Sequence, residues 1–192
     1  CKHYRRRCEI KSPCCGRFFT CHNCHDEQME GMGRYNVTVI RCKVCNLEQD
    51  VGPVCAGCGV EFAEYFCKMC KLFSKPTNQG IYHCNGCGIC RVGQGIGISH
   101  FHCDTCKACY TLESRQGHKC VERALDSDCP VCMQYLFTSA KPLFVGPQCG
   151  HALHQTCFKE LLQAGTFKCP TCSKPMFEEK VIKKIQKVSL IL

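Results

Sequence analysis

Cysteine and histidine carry the chemistry of this 192-residue chain, which holds 25 cysteines and 9 histidines, most in C-x2-C pairs or side by side. Thiolate and imidazole at that spacing are zinc donors, because two sulfurs three residues apart reach one ion from a tight turn and two such halves close a tetrahedron. Disulfides are the competing use of so much sulfur. The total is odd, the histidines recur beside the cysteine pairs, and about 13% cysteine (25 of 192 residues) lies above the level that marks a stapled scaffold. Metal is therefore the expected staple. Four S or N ligands fill zinc's shell and leave no place for a reactive water, so hydrolysis is not indicated and the ions read as structural.

Three blocks present these donors. Residues 1–66 hold Cys1-x-His3, Cys8, Cys14-Cys15, Cys21-x2-Cys24-His25, Cys42-x2-Cys45 and Cys55-x2-Cys58. Residues 67–122 hold Cys67-x2-Cys70 and then a unit that occurs twice, 19 residues apart: His83-Cys84-x2-Cys87-x2-Cys90 and His102-Cys103-x2-Cys106-x2-Cys109, closed by His118-x-Cys120. Turn formers such as Pro76-Thr77-Asn78-Gln79-Gly80 separate these ligands, which predicts hairpins and loops. Residues 126–177 run Cys129-x2-Cys132, Cys149-x-His151-x2-His154-x2-Cys157 and Cys169-x2-Cys172. Eight ligands in one ordered register form the most specific signal in the chain. A short amphipathic helix from Phe158 is expected to stop at Gly165, and residues 178–192, with Val181, Ile185, Val188 and Leu192 near helical spacing, read as a helical tail. His22 and His100 fall outside the ligand pattern and read as ordinary polar residues or as partners that support a ligand from behind.

The apolar residues come in short pieces, so no large hydrophobic core is expected. The formal charge of +9 suggests nucleic acid until the metal is counted. About 24 thiolates and about eight Zn²⁺ ions contribute roughly −8, which leaves the chain near neutral and weighs against a nucleic-acid partner. Neither a basic-then-apolar leader nor a run of eighteen apolar residues occurs, so no membrane is expected and a reducing cytoplasm or nucleus fits the free thiols. The chain opens on Cys1 rather than methionine, which leaves a longer parent open.

Taken in order, Cys1-x-His3-Tyr4, Pro13-Cys14-Cys15, Cys24-His25-Asp26-Glu27, Tyr82-His83-Cys84, Cys87-Gly88-Ile89-Cys90-Arg91-Val92-Gly93 and the eight-ligand block resemble the RING-and-CHY zinc-finger ubiquitin ligases over nearly the whole chain. The resemblance implies a CHY-type finger (1–66), a CTCHY-type finger (67–122) and a RING-H2 finger (126–177). The fold class is then a small, zinc-stabilised irregular α+β chain of serial knuckles and ribbons followed by a cross-brace RING. It implies that Cys129, Cys132, His154 and Cys157 hold one zinc, and Cys149, His151, Cys169 and Cys172 another.

For the middle finger we expect serial sharing: Cys67, Cys70, Cys84 and Cys87; then His83, Cys90, Cys103 and Cys106; then His102, Cys109, His118 and Cys120. In the first block Cys42, Cys45, Cys55 and Cys58 make one site, Cys1, His3, Cys21 and Cys24 another, and Cys14, Cys15 and His25 share a third. The family commonly places a further histidine after the Cys-His-Asp-Glu stretch, and Gln28 to Tyr35 contains none. Cys8, His22 or Glu30 is left to complete that site, and Cys8 is the expected donor.

The resemblance also implies a function: docking a ubiquitin-charged conjugating enzyme on Val131, Leu161 and Pro170 of the RING, with no catalytic cysteine, while the first two fingers recruit a protein substrate. Many RING domains place a basic residue directly after the last ligand. Here that residue is Ser173, with Lys174 next, and a homodimer or another domain is one way to supply the missing contact. The alternative function is a zinc-dependent protein- or RNA-binding scaffold without ligase activity.

Overall fold

The computed structural model describes residues 1–182 apart from 30, 77 and 140. Among the described residues no helix is long and apolar enough to cross a membrane. They form two compact units, Cys1–Gly95 and from Ile96 onward. Both are built from one local device. In several C-x2-C turns the residue after the second cysteine takes a left-handed backbone, as at Asn46, Gly59, Met133 and Ser173. Its N–H donates to the first cysteine's carbonyl: Asn46 to Cys42 at 3.0 Å, Gly59 to Cys55 at 3.0 Å, Met133 to Cys129 at 2.9 Å and Ser173 to Cys169 at 2.8 Å. That conformation costs a non-glycine residue about 1–2 kcal/mol, so something outside the backbone must hold these turns closed.

The first unit centres on a four-stranded antiparallel sheet in the order β2 (Phe18–Phe19), β1 (Cys8–Lys11), β3 (Val39–Cys42), β4 (Glu48–Asp50). Side chains alternate along a strand, so Cys8 and Ile10 of β1 and Ile40 and Cys42 of β3 turn inward together. They meet Phe19, Val37, Phe62 and Phe73 in the core. Phe73 comes from β6 (Leu72–Ser74), which pairs with β5 (Tyr65–Cys67). It is fully buried and lies edge-on to Phe62, with ring centroids 6.1 Å apart. Packing thus runs through position 66, where the ligand spacing changes from the first block to the second. A further hairpin, β7 (Ile81–Cys84) with β8 (Ile89–Val92), completes the unit. Its two ends close where the Gly93 N–H donates to the Gly80 carbonyl at 3.1 Å, and a Cβ on Gly80 would strike that Gly93 carbonyl oxygen.

The second unit joins the hairpin β9 (His100–Cys103) and β10 (Ala108–Thr111) to the RING block, where β11 (Leu143–Val145) pairs with β12 (Ala152–His154) and leads into helix α2 (Gln155–Gln163). The shared core includes Ala108, Leu125, Leu136, Leu153, Phe158 and Met176. Phe144 stacks on Phe158 with centroids 3.7 Å apart. Gly150 has φ +75°, and a Cβ on it would collide with the Lys119 carbonyl and the Val121 side chain. The last stretch of the middle block therefore presses on the metal loop of the RING block. Helix α2 starts at Gln155, three residues before the expected Phe158, because β12 runs straight into it and Cys157 falls on its first turn. It ends as expected at Gly165, φ +74°. The Glu178 carbonyl accepts from the N–H groups of Val181 and Ile182, which begins a helical turn, and the rest of the expected tail helix lies outside the described residues.

Candidate metal centres

In the first unit Cys1, His3, Cys21 and Cys24 converge, with His3 Nδ1 at 3.4 Å from the Cys21 sulfur and 3.6 Å from that of Cys24. Cys21 caps the short helix α1 (His22–Asp26), whose Cys24 N–H points at its sulfur over 3.3 Å. Cys42, Cys45, Cys55 and Cys58 form a second set, with sulfur pairs at 3.8 Å (Cys42 and Cys58) and 3.5 Å (Cys45 and Cys55). The Cys58 backbone N–H draws the Cys55 thiol down to about 6, which favours the thiolate that zinc needs. Both sets match the sequence expectation.

Around the third group, His25 is buried and its Nε2 lies 3.2 Å from the Cys14 sulfur. On its far side Nδ1 meets Asp26 Oδ1 at 2.9 Å, the carboxylate support that ligating histidines ordinarily have. The Ser12 hydroxyl, then the Arg17 backbone N–H, lower the neighbouring Cys15 thiol to about 7. The expectation for Cys8 is corrected. Cys8 sits on β1 opposite Cys42, fully buried, where burial pushes its thiol up to about 12. It lies in the sheet's core beside Ile10, and four residues of extended strand, about 13 Å, separate it from Ser12 at the start of the Cys14 turn. His22, packed on Tyr4 at 5.7 Å, is held neutral by burial, its imidazole lowered to about 4.

The middle block groups its donors differently from the serial expectation. Cys67, Cys70, His83 and Cys90 converge, with His83 Nδ1 at 3.6, 3.3 and 3.9 Å from the three sulfurs. Cys103, Cys106, His118 and Cys120 form another set, with His118 Nε2 at 3.3 Å from Cys103 and 3.0 Å from Cys120. Cys84 with Cys87, and His102 with Cys109, stand outside these two sets.

Strand geometry gives the reason. His83 stands directly across the ladder from Cys90, and His102 across from Cys109. The adjoining residues, Cys84 and Cys103, point to the opposite faces of their strands. A histidine and the cysteine after it therefore cannot serve one ion from a regular strand. The expected sets Cys67, Cys70, Cys84, Cys87 and His83, Cys90, Cys103, Cys106 and His102, Cys109, His118, Cys120 keep each histidine with its cross-strand cysteine but join the half-sites in the wrong order: Cys67 and Cys70 meet His83 and Cys90, and Cys103 and Cys106 meet His118 and Cys120.

In the RING block the donors cross. His154 Nδ1 lies 3.2 Å from the Cys132 sulfur, and the sulfurs of Cys132 and Cys129 crowd Cys157, which burial and that crowding raise to about 11. His151 Nδ1 lies 3.8 Å from Cys169, while Cys149 has Cys169 and Cys172 as its sulfur neighbours. First pair with third, second pair with fourth: the alternation expected of a cross-brace is present. His154 Nε2 meets Ser139 Oγ at 2.9 Å, which orients the ring, and burial followed by Lys141 lowers its pKa and keeps it neutral.

Sets of sulfur and imidazole nitrogen at these separations fit a tetrahedral zinc, whose bonds of about 2.0–2.3 Å put neighbouring donors about 3.3–3.8 Å apart. The comparisons with known proteins agree. Residues 1–65 match the CHY zinc finger family and residues 127–173 the Ring finger domain. The E3 ubiquitin-protein ligase SRFP1 of Oryza sativa subsp. japonica is 44% identical over 182 residues, covering 93% of this chain and 68% of that relative. The chain belongs to the RING finger and CHY zinc finger ubiquitin ligase family. Another relative, the E3 ubiquitin-protein ligase RZFP34 of Arabidopsis thaliana, is 40% identical over 91% of this chain and 62% of its own length. Zinc finger protein BRUTUS of the same plant is 40% identical over 92% of this chain, which spans only 14% of that protein. As a member of this family the chain is a zinc-binding protein.

The RING surface of this family member lies beside the crossed donors. Val131 in the first knuckle is 37% exposed, Pro170 in the last knuckle is exposed, and Leu161 of α2 is half-buried against the core. Met133, 70% exposed, stands two residues beyond Val131 and went unnoticed in the sequence, although its position just after a C-x2-C pair is a readable signal. Ser173, directly after the last ligand, adopts φ +59° as part of its knuckle.

Proposed function

We propose that this chain is a RING-type E3 ubiquitin-protein ligase that docks a ubiquitin-charged conjugating enzyme on Val131, Leu161 and Pro170 and promotes transfer to a substrate recruited by residues 1–122. The observation that carries this reading is the crossed donor arrangement, which sets the two knuckles and helix α2 side by side and leaves small apolar residues facing outward. A RING ligase supplies no covalent nucleophile, so its contribution is positioning: it holds the carrier's thioester where an incoming amine meets it. A shallow apolar patch with a polar rim suits a carrier that must leave after each transfer.

In this reading the 31 donors other than Cys8 serve about eight zinc ions, seven with four protein donors and one with three. Each site contributes an apparent binding energy of about 10–16 kcal/mol, comparable with or larger than the whole stability of an ordinary domain at about 5–15 kcal/mol. Zinc therefore replaces the large core that the chain lacks, and the thiols that hold it call for a reducing compartment, cytoplasm or nucleus.

An autoubiquitination assay with purified activating enzyme, several conjugating enzymes and the zinc-loaded chain tests the proposal. A ubiquitin ladder is expected, and Val131→Ala with Leu161→Ala is expected to suppress it at unchanged zinc content. Absence of product with every conjugating enzyme, at full zinc content, would leave a binding scaffold as the better reading.

A further inference from the structure

The Cys14, Cys15 and His25 group has a neighbour that its cysteines and histidines do not reveal. At other knuckles one pair of backbone bonds defines the turn. The residue after the second cysteine donates its N–H to the first cysteine's carbonyl, and the first cysteine donates its own N–H to the carbonyl five residues on. Cys55 donates to Val60 at 2.9 Å, Cys129 to Gln134 at 2.9 Å and Cys169 to Lys174 at 2.8 Å. The segment Ser12-Pro13-Cys14-Cys15-Gly16-Arg17 repeats this pattern. The Gly16 N–H donates to the Ser12 carbonyl at 2.9 Å, the Ser12 N–H donates to the Arg17 carbonyl at 2.8 Å, and Gly16 has φ +68°. Ser12 therefore occupies the first-ligand position of a knuckle whose second ligand is Cys15. Its hydroxyl is buried with the rest of the residue and lies 3.0 Å from the Cys14 sulfur, which in turn lies 3.2 Å from His25 Nε2.

We propose that Ser12 Oγ is the fourth donor of the Cys14, Cys15 and His25 zinc site, carried there by the same turn that elsewhere presents a cysteine, and that this site releases its ion first. The inference rests on the reading that these clusters hold zinc. A neutral hydroxyl is a weaker partner than thiolate for a borderline-soft cation, so an oxygen in the knuckle's first position gives a looser site than its sulfur-rich neighbours. The main-chain bonds of the turn need no particular side chain at position 12. Substitutions there therefore probe the donor and not the fold.

The experiment is zinc counting by mass spectrometry on the purified full chain, followed by the time course of release to a coloured chelator, for wild type, Ser12→Ala, Ser12→Cys and Glu30→Gln. One ion per chain is expected to leave wild type in a separate fast phase. Ser12→Ala should lose that ion on purification or release it about 10-fold faster or more. Ser12→Cys should merge it with the slow phase and, after cobalt(II) substitution, raise the sulfur-to-metal charge-transfer absorbance by one thiolate. Unchanged stoichiometry and kinetics in Ser12→Ala would overturn the assignment, as would loss of the same ion in Glu30→Gln alone. A wild-type chain carrying no zinc at all would instead sink the zinc reading on which the inference stands.

Discussion

The middle block and the RING block use the same donors at the same C-x2-C spacing, yet they close their sites by different rules. In the middle block a site is chosen by strand parity: His83 meets Cys90 because the ladder sets them opposite each other, and Cys84 is turned away because it is the next residue. In the RING block the pairs interleave, so neither set completes until the long segment between Cys132 and Cys149 has folded back and α2 has brought Cys157 to Cys132 and Cys129. One region closes its sites across hairpins, the other by crossing its pairs. Loss of a donor should therefore stay local in the first and spread through the second.

The sharpest test of that difference pairs Cys157→Ser with Cys90→Ser. The RING substitution should remove zinc from the block, melt it and bring ubiquitin transfer to background. Cys90→Ser should cost the zinc of its own set and spare the RING, which metal counting beside the transfer assay will read. Comparable loss of transfer in both variants would erase the distinction.

Next in size is Phe73→Ala, which leaves every donor in place. Phe73 fills the core between the first block and the β5–β6 hairpin, so its truncation should destabilise the first unit by about 3–5 kcal/mol in chemical denaturation. No loss of stability would mean that zinc alone holds the unit together.

A smaller effect is expected from Gly150→Ala set against Gly165→Ala. Both glycines have positive φ, but only Gly150 also faces the Lys119 carbonyl and the Val121 side chain at close range, whereas nothing lies near a Cβ on Gly165. Gly165→Ala should cost about 1–2 kcal/mol, the left-handed backbone penalty, and Gly150→Ala clearly more, with weakened ubiquitin transfer. Equal costs would show that the last middle-block segment does not brace the RING. The smallest effect on stability belongs to Val131→Ala. It should leave the melting temperature nearly unchanged and weaken binding of the conjugating enzyme about 10-fold, the consequence of losing roughly 1.4 kcal/mol at a contact centre. Titration of the chain against the unloaded enzyme measures it.

The RING block was legible in the sequence because its register of eight donors is long and ordered, so the crossed pairing followed from a resemblance resting on many positions. The middle block was harder to read. Spacing in chain order does not say which half-sites share an ion, and nothing in the spacing His83-Cys84 says whether those residues lie on a strand or in a loop. Cys8 looked like a spare ligand because every other cysteine had a role in the metal pattern. Its place opposite Cys42 in a packed sheet came from the alternation of Cys8 and Ile10, which is legible only once the four residues Cys8–Lys11 are known to be a strand. Ser12 carried no signal at all as a donor, since serine at a loop position is ordinary.

The sequence by itself determined that this protein is held together by metal, which residue types do the holding and which family it joins, because donor chemistry and close spacing are local properties. Which donors share an ion was decided by the tertiary structure. A tetrahedral site needs four atoms within a few ångströms, and whether the residue before or after a given cysteine points the right way depends on the strand, turn or helix that carries it.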